Sequence, residues 1–260
     1  MPLFKKKRGT DDTIENGVKL ITLAKPKSPV AEQFRTVRTN INFTAVDHPI
    51  KSLAFTSANI SEGKSTIATN VAVTYAQAGR KVLLIDADLR RPTVHATFNL
   101  NNHVGLSTVI SSTAKEVDLD SVVQESGVDN LYVLTAGPMP PNPAELIGSR
   151  RMRDFVKMTE EHYDLVILDL APILEVSDTQ ELSSHLDGVV LVVSQGKTPK
   201  LAIKRAVEML KFAKVRILGY VMNDVSSENS GYGYGYGYGY GYGYGDEDTK
   251  KKGLFSKFRK

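Results

Sequence analysis

Short apolar runs recur along the chain up to about Val225, and segments with apolar residues at helical spacing separate them. Continuous apolar runs of this length are typical of strands buried on both faces of a parallel sheet. The runs predicted to be strands are Ser52–Phe55, Val82–Ile85, Leu131–Leu134, Tyr163–Asp169, Gly188–Ser194 and Ile217–Met222. Strands that alternate with helices predict an α/β fold, in which helices cover both faces of a mostly parallel sheet.

Two helix starts carry strong local signals. Ser28 is a favourable N-cap and Pro29 a favourable first helical residue, and Asn142 and Pro143 repeat this arrangement. The predicted long helices run from Pro29 to about Val46, from Lys64 to about Ala78, from Arg150 to about Glu161 and from Pro199 to Ala213. A weaker pattern over residues 93–130 predicts loops and short helices.

Shifts in composition divide the chain into three parts. Residues 1–27 are interpreted as a basic N-terminal segment and linker, with a short extended piece at Val18–Leu23. Residues 28–225 are interpreted as one α/β domain. Residues 226–260 are interpreted as a flexible Gly-Tyr repeat and a basic tail, because alternating Gly and Tyr offer little from which to build a core.

The net charge of +4 is carried by the two ends of the chain, where basic residues stand beside Leu and Phe. The segment between them is slightly acidic, which argues against a nucleic-acid partner. The ends are either solvated tails or a contact with an anionic membrane surface, which attracts basic groups and admits apolar side chains. No apolar run approaches the ~18 residues of a spanning helix. We therefore expect a cytoplasmic protein, peripheral at the inner face of the plasma membrane.

The segment Thr56–Thr66, TSANISEGKST, follows a predicted strand and opens a predicted helix. This arrangement is typical of a phosphate-binding loop, in which main-chain N–H groups and the helix dipole favour a phosphate. It predicts a P-loop NTPase-like sheet and a nucleotide such as ATP. The residues predicted to contact the nucleotide from this loop are Ser61, Glu62, Gly63, Lys64, Ser65 and Thr66.

Carboxylates follow two of the predicted strands. Asp86 and Asp88 end one strand and Asp169 ends another, where carboxylates beside a phosphate loop indicate Mg²⁺-assisted phosphoryl transfer. Ser65, Asp88 and Asp169 are the predicted Mg²⁺ ligands, and Lys64 with the three acids forms the predicted catalytic set. Asp86 is the candidate acceptor of the substrate proton. Arg90 and Arg91, which follow the acids, either bind an anion or offset their charge, and Arg90 is the predicted nucleotide-binding residue of the two.

The strict Gly-Tyr alternation of residues 231–245 is either a low-complexity tail or a flexible array of phosphate acceptors. Exposed phenols beside a phosphoryl-transfer site favour the second interpretation. The predicted acceptors are Tyr232, Tyr234, Tyr236, Tyr238, Tyr240, Tyr242 and Tyr244.

Together these motifs resemble the bacterial tyrosine kinases that regulate capsule and exopolysaccharide synthesis, in their stand-alone, CpsD-like form. The resemblance covers nearly the whole chain: the phosphate loop, IDADLRRP, GPMPPNPAELI, the strand ending in Asp169, and the terminal tyrosines. The spacing of Glu32, Arg35 and Arg38 is similar to the family's oligomerisation motif.

The resemblance implies an ATP- and Mg²⁺-dependent kinase that autophosphorylates its tyrosines. It implies a ring of identical subunits, in which one tail enters the site of its neighbour. It also implies a separate transmembrane activator, a cognate tyrosine phosphatase, and protein substrates in polysaccharide synthesis.

The chain departs from the family pattern in three places. Ala58 stands for the first glycine of the loop, and Ile60-Ser61 stands where Pro-Gly is frequent. Leu170-Ala171 replaces Thr-Pro after the acid, which removes a hydroxyl near the metal. We expect an altered nucleotide affinity and a reduced rate, but an active kinase.

Two other functions fit parts of the chain. A membrane-associated ATPase of the MinD/ParA class shares the fold, but that class carries a lysine early in the loop, where this chain has Asn59. A non-catalytic nucleotide-sensing scaffold is consistent with Leu170-Ala171. Tyrosine labelling, ATP hydrolysis and ATP binding distinguish the three.

Overall fold

Seven strands form one sheet in the computed structural model, which describes residues 12–45, 49–112 and 118–225. The strands are β1 (Ser52–Ser57), β2 (Val82–Asp86), β3 (Gln124–Glu125), β4 (Leu131–Leu134), β5 (Leu165–Asp169), β6 (Gly188–Ser194) and β7 (Ile217–Asn223). Their order across the sheet is β3-β4-β2-β5-β1-β6-β7. All neighbours are parallel except β3 and β4, which are antiparallel.

Helices cover both faces of this sheet. They are α1 (Asp12–Asn16), α2 (Ile21–Ala24), α3 (Pro29–Thr44), α4 (Lys64–Gln77), α5 (Val94–Phe98), α6 (Leu106–Ser111), α7 (Pro143–Ile147), α8 (Arg150–His162), α9 (Asp178–Ser183) and α10 (Lys200–Phe212). A short 3₁₀ turn spans Leu119–Ser121. Among the described residues, no helix is long and apolar enough to cross a membrane.

Alternate side chains of the central strands pack in two separate hydrophobic cores. Leu83 and Ile85 of β2 pack in the core that α8 and α10 share, whereas Val82 and Leu84 pack in the core under α3 and α4. Strands β1, β2, β5 and β6 are buried at every position. Burial on both faces explains their continuous apolar character. The predicted α/β fold is confirmed.

The helix start predicted at Ser28 has the expected N-cap hydrogen bond. The Ser28 hydroxyl accepts a hydrogen bond from the main-chain N–H of Ala31 at 3.2 Å, which confirms this N-cap. Asn142 also precedes a helix, but its side chain donates to Glu145 Oε2 at 2.6 Å and makes no cap hydrogen bond. The N-cap bond expected of Asn142 is therefore not formed.

Two predictions about local structure are wrong. The extended piece at Val18–Leu23 is instead partly helical, since α2 begins at Ile21. Tertiary contacts explain this, because Thr22 is buried and both its N–H and its hydroxyl donate to Asn70 Oδ1, at 3.1 and 2.9 Å. In the region predicted as loops and short helices, the two-residue strand β3 adds an antiparallel edge to the sheet.

The chain separates into two units, Met1–Val225 and Ser226–Lys260. The sheet and the ten helices found in the described residues belong to the first. The seven tyrosines predicted as phosphate acceptors and the basic residues at both ends lie outside the described residues.

Candidate active site

The phosphate loop and the predicted catalytic acids meet at the carboxyl edge of the sheet. Strands β2 and β5 are neighbours, and their register places Asp86 opposite Asp169. On the other side of β5, Phe55 of β1 lies opposite Asp169, just before the loop begins. This edge is where parallel α/β sheets place their ligands.

Two residues in the left-handed region allow the loop to turn from β1 into α4. They are Ser61, with φ 58°, and Gly63, with φ 92°. A Cβ at Gly63 would lie 2.1 Å from Nδ2 of Asn223, so that side chain would have to move, and the positive φ of Gly63 itself strains any residue that has a Cβ. Helix α4 begins directly after this turn, at Lys64. Its first N–H groups, which have no partners within the helix, therefore lie beside the loop.

The buried side chain of Glu62 holds the loop together from inside. It accepts hydrogen bonds from N of Ala58 at 3.1 Å, Nδ2 of Asn59 at 3.0 Å and the hydroxyl of Thr198 at 2.8 Å. Its carbonyl oxygen accepts from Nδ2 of Asn223 at 3.1 Å. These contacts tie the loop to the segment after β6 and to the end of β7. The carboxylate of Glu62 is thus occupied within the protein.

Lys64 joins two of the acids. Its Nζ lies 2.9 Å from Oδ2 of Asp88 and 3.2 Å from Oδ1 of Asp169, and it donates to the Ser65 hydroxyl at 3.3 Å. Burial alone would lower the pKa of Lys64, but the carboxylates of Asp169 and Asp88 raise it above its ordinary value. Lys64 is therefore a permanent positive charge in the site.

Asp86 is buried and held by main-chain donors. Its Oδ2 accepts from N of Thr93 at 3.0 Å and N of Val94 at 2.9 Å, and its Oδ1 accepts from N of Asp88 at 3.3 Å. Burial, followed by the neighbouring charge of Asp169, raises the pKa of Asp86 to about 8. Asp86 therefore keeps the loop after β2 in place and has a strongly perturbed carboxyl group.

The pKa values of the other two acids, Asp169 and Asp88, are shifted in opposite directions. Burial raises the pKa of Asp169 above its ordinary value despite the opposing charge of Lys64. Burial also acts to raise the pKa of Asp88, but the charge and hydrogen bond of Lys64 outweigh it, and the pKa falls below its ordinary value. One oxygen of Asp169, Oδ2, is buried without a hydrogen-bond partner.

Three buried carboxyl groups lie around one lysine, and the raised pKa values of Asp86 and Asp169 show that a single cation does not fully stabilise their charged forms, which suits an additional divalent cation. The unpartnered Oδ2 of Asp169 is a free hard-oxygen donor, and the Ser65 hydroxyl lies beside the same lysine. The described residues contain no group of three or more His, Cys, Asp or Glu side chains that would hold a metal ion alone. A Mg²⁺ ion that takes few protein ligands and completes its shell with water and phosphate fits these residues.

A cavity of about 320 Å³ lies against the loop. Of the six predicted nucleotide-binding residues in the loop, Ser61, Gly63, Lys64, Ser65 and Thr66 line this cavity, whereas Glu62 does not. The cavity is also lined by Asp88, Arg91, Thr93, Pro172 and Lys197, and by Thr13, Ile14 and Val18 from the N-terminal segment.

The two adjacent arginines have different positions. Arg91 lines the cavity, and its main-chain N donates to Asp88 Oδ1 at 3.1 Å. Arg90, the predicted anion-binding residue, is exposed and does not line it. The Arg-Arg pair identifies the region, but the turn after β2 decides which side chain faces the cavity. No local sequence pattern predicts that residues of α1 and Lys197 line the cavity.

The residues of the predicted oligomerisation motif lie on α3. Arg35 pairs with Glu32 at 2.7 Å and also donates to the carbonyl oxygen of Pro26. Arg38 donates to the carbonyl oxygen of Thr74 near the end of α4. Arg38 is therefore engaged within the subunit, whereas the side chain of Glu32 is 68% exposed.

Comparisons with known proteins agree with this geometry. A family model described as an AAA domain matches residues 50–216. The tyrosine-protein kinase YwqD of Bacillus subtilis is 50% identical over 204 residues, which cover 78% of this chain and 85% of YwqD. The chain is thus similar to a tyrosine kinase over most of the length of both proteins.

Solved structures include a tyrosine kinase domain of similar fold. The kinase domain of the Escherichia coli tyrosine kinase ETK has a TM-score of 0.74 and 31% identity, covering 90% of this chain and 89% of that one. The chimerical protein CapA2B2 has a TM-score of 0.73 and 40% identity, covering 78% and 88%. MinD from Pyrococcus horikoshii, at 20% identity and a TM-score of 0.54, shares the fold alone. On these similarities, and with a phosphate loop facing three buried acids, the chain belongs to the family of bacterial tyrosine-protein kinases.

Proposed function

We propose that this kinase transfers a phosphoryl group from ATP to the tyrosines at residues 232–244 of a neighbouring copy of the same chain. The observation that carries the proposal is the position of Lys64. It is the lysine of a phosphate loop, it is buried, and it contacts both Asp88 and Asp169. A phosphate loop, a fixed cation and acids for Mg²⁺ are the parts that phosphoryl transfer requires.

The loop and the acids divide the work of binding. The main chain of residues 61–66 and the Lys64 ammonium would hold the phosphates, while Ser65, Asp88 and Asp169 would hold Mg²⁺. A bound Mg²⁺ neutralises charge that develops on the phosphoryl oxygens. Asp88 is held ready for this role, because Arg91 N and Lys64 fix its two carboxylate oxygens.

Asp86 is the candidate group that accepts the phenolic proton. A tyrosine hydroxyl has a pKa of ~10, and an ordinary aspartate, with a pKa of ~3.9, is a poor match for it. Burial raises the pKa of Asp86 to about 8, which narrows this gap. Two main-chain donors occupy Oδ2, whereas Oδ1 has one longer contact, at 3.3 Å. Oδ1 is therefore the less occupied of the two oxygens and the candidate acceptor, although Asp86 itself does not line the cavity.

The chain works in a ring of identical subunits with Glu32, Arg35 and Arg38 at the contact. The fifteen residues from Ser230 to Tyr244 span roughly 20 Å as a coil and ~50 Å when extended, enough to reach an adjacent subunit. Seven phosphotyrosines add roughly −10 to −14 of charge. Repulsion from the acidic site then favours release of the tail and disassembly of the ring.

The partners follow from the family resemblance. A separate transmembrane protein activates the kinase, and a cognate phosphatase returns the tail to its unmodified state. Protein substrates belong to capsule or exopolysaccharide synthesis. The basic ends, with their Leu and Phe residues, place the cytoplasmic kinase at an anionic membrane surface.

A mixing experiment tests transfer between copies. The active chain carries phenylalanine at all seven acceptor positions, and the second chain is Lys64→Met with its tyrosines intact. Neither chain alone should gain phosphotyrosine in Mg·ATP, and the mixture should label the Lys64→Met chain. Each sample is measured with and without the cytoplasmic tail of a candidate activator.

Three results would oppose the proposal. Tyrosine labelling of Lys64→Met alone would show that the loop is not the site of transfer. ATP hydrolysis by the wild type without labelling would indicate an ATPase of the MinD type. ATP binding without either reaction would indicate a nucleotide-sensing scaffold.

A further inference from the structure

Thr93 has a hydroxyl group that the folded protein does not use. The residue is 6% exposed and stands at the N-cap position of α5, yet its side chain makes no cap hydrogen bond. Its Oγ1 is buried without any hydrogen-bond partner. A threonine at this position ordinarily accepts from an N–H group of the first helical turn. Buried polar groups of this kind are rare, because each unpaired one is costly.

The contacts around Thr93 explain why its hydroxyl has no hydrogen-bond partner. Oδ2 of Asp86 accepts from the main-chain N–H groups of Thr93 and Val94, at 3.0 and 2.9 Å. The carbonyl oxygen of Thr93 accepts from N of Thr97 at 3.0 Å and from its hydroxyl at 2.7 Å. The main chain of Thr93 is therefore fixed on both sides, and only Oγ1 is left without a partner.

The unused hydroxyl belongs to a residue that lines the nucleotide cavity. Thr93 shares this cavity with three possible donors, Lys64, Ser65 and Arg91, and with one carboxylate, Asp88, which Lys64 already contacts. Two of these neighbours are cations, and the cavity faces the start of α4, where a helix dipole favours negative charge. A phosphate oxygen, which only accepts hydrogen bonds, is the ligand atom that this set of donors suits best.

We propose that the Thr93 hydroxyl donates a hydrogen bond to a phosphate oxygen of the bound nucleotide, which makes Thr93 a further binding residue of the kinase site. The proposal rests on the ATP-dependent function proposed above. The hydroxyl is left unpaired in the free protein because its partner arrives with the nucleotide.

Thr93→Val and Thr93→Ser test this role. Valine keeps the shape of threonine without the hydroxyl, and serine keeps the hydroxyl. The measurements are the Tm without nucleotide and the Kd values for ADP and for the non-hydrolysable analogue AMP-PNP. Loss of a hydrogen bond to a charged group should weaken binding of Thr93→Val between about 10- and 100-fold. A loss confined to AMP-PNP places the hydroxyl at the third phosphate, and a loss for both places it at an inner one. Thr93→Ser should bind like the wild type.

The Tm separates this role from a structural one. The Tm of Thr93→Val should equal or exceed that of the wild type, because no bond in the free protein is lost. Thr159→Val is the matched control: its buried hydroxyl donates to the carbonyl oxygen of Val156 at 2.7 Å, so its Tm should fall while its Kd stays unchanged.

Unchanged Kd values for both nucleotides in Thr93→Val would overturn the proposal, and so would a lower Tm without nucleotide. Failure of the proposed function would be visible elsewhere, as a wild-type chain that binds nucleotide and leaves its tyrosines unlabelled.

Discussion

The ammonium group of Lys64 lies 2.9 Å from Oδ2 of Asp88, so the lysine of the phosphate loop already has an anionic partner inside the protein. Asp169 adds a second contact at 3.2 Å. Nucleotide phosphates and these carboxylates are therefore alternative partners for one cation. The buried acids need another positive charge whenever the ammonium group of Lys64 moves to the phosphates.

Replacing Lys64 by methionine should destabilise the protein as well as abolish transfer. The change leaves buried carboxylates without their cation, and breaking a buried pair in this way costs about 3–5 kcal/mol. Urea denaturation without nucleotide measures the loss. Added Mg²⁺ should recover part of it in Lys64→Met, because a divalent cation offsets the same charges.

Lys204→Met is the control for this prediction. Lys204 is exposed, at 73%, and its contact with Glu208 is 3.8 Å long, so its loss should change stability little. Equal stability of Lys64→Met and wild type would show that the acids are not charged in the free protein.

Replacing Glu62 by glutamine should loosen the phosphate loop. If the amide oxygen keeps the contacts with Asn59 and Thr198, the amide nitrogen must face the N–H of Ala58, where two donors oppose each other. An unsatisfied buried donor costs about 1–3 kcal/mol. The expected result is a lower Tm and a higher KM for ATP in tail phosphorylation, with a smaller change in kcat.

The exposed acid Glu208 offers a matched control, since Glu208→Gln removes the same charge on the surface. An unchanged KM for ATP in Glu62→Gln would mean that the loop keeps its shape without the hydrogen bonds that the Glu62 carboxylate accepts.

The sequence predicts the fold and the acids well because both follow from local patterns. Continuous apolar runs mark buried strands, and the carboxyl ends of parallel strands meet at one edge, so Asp86 and Asp169 come together. The site details depend on contacts between distant residues. Thr198 reaches Glu62 across 136 positions, and Asn70 shapes α2 from another helix. The spacing of apolar residues along the chain does not predict such long-range contacts.

Gly17 should control the N-terminal wall of the nucleotide cavity. It has φ 65°, and a Cβ there would lie 2.4 Å from N of Thr97. Gly17→Ala should therefore push α1 away from α5 and displace Thr13 and Val18, which line the cavity. We expect a lower Tm and weaker binding of ADP, measured by calorimetry.

Gly127→Ala separates the clash from backbone strain. Gly127 has a similar φ, 79°, but nothing lies within 4 Å of its added Cβ. It should lose only the roughly 1–2 kcal/mol of left-handed backbone strain and bind ADP normally. Equal ADP affinity in the two variants would show that α1 does not shape the cavity.

The three residues of the α3 motif should separate into structural and assembly roles. Arg38 donates to the carbonyl oxygen of Thr74, near the end of α4, where helix carbonyls lack partners. Arg38→Ala should therefore lower the stability of the subunit itself, by about 1–2 kcal/mol. Glu32 is exposed, and its pair with Arg35 lies on the surface, so Glu32→Ala should leave the free energy of unfolding almost unchanged.

Light scattering after gel filtration should nevertheless show smaller assemblies for Glu32→Ala, whereas Glu208→Ala on α10 should keep the wild-type size. If Glu32→Ala also keeps the wild-type size, the contact between subunits does not use this face of α3.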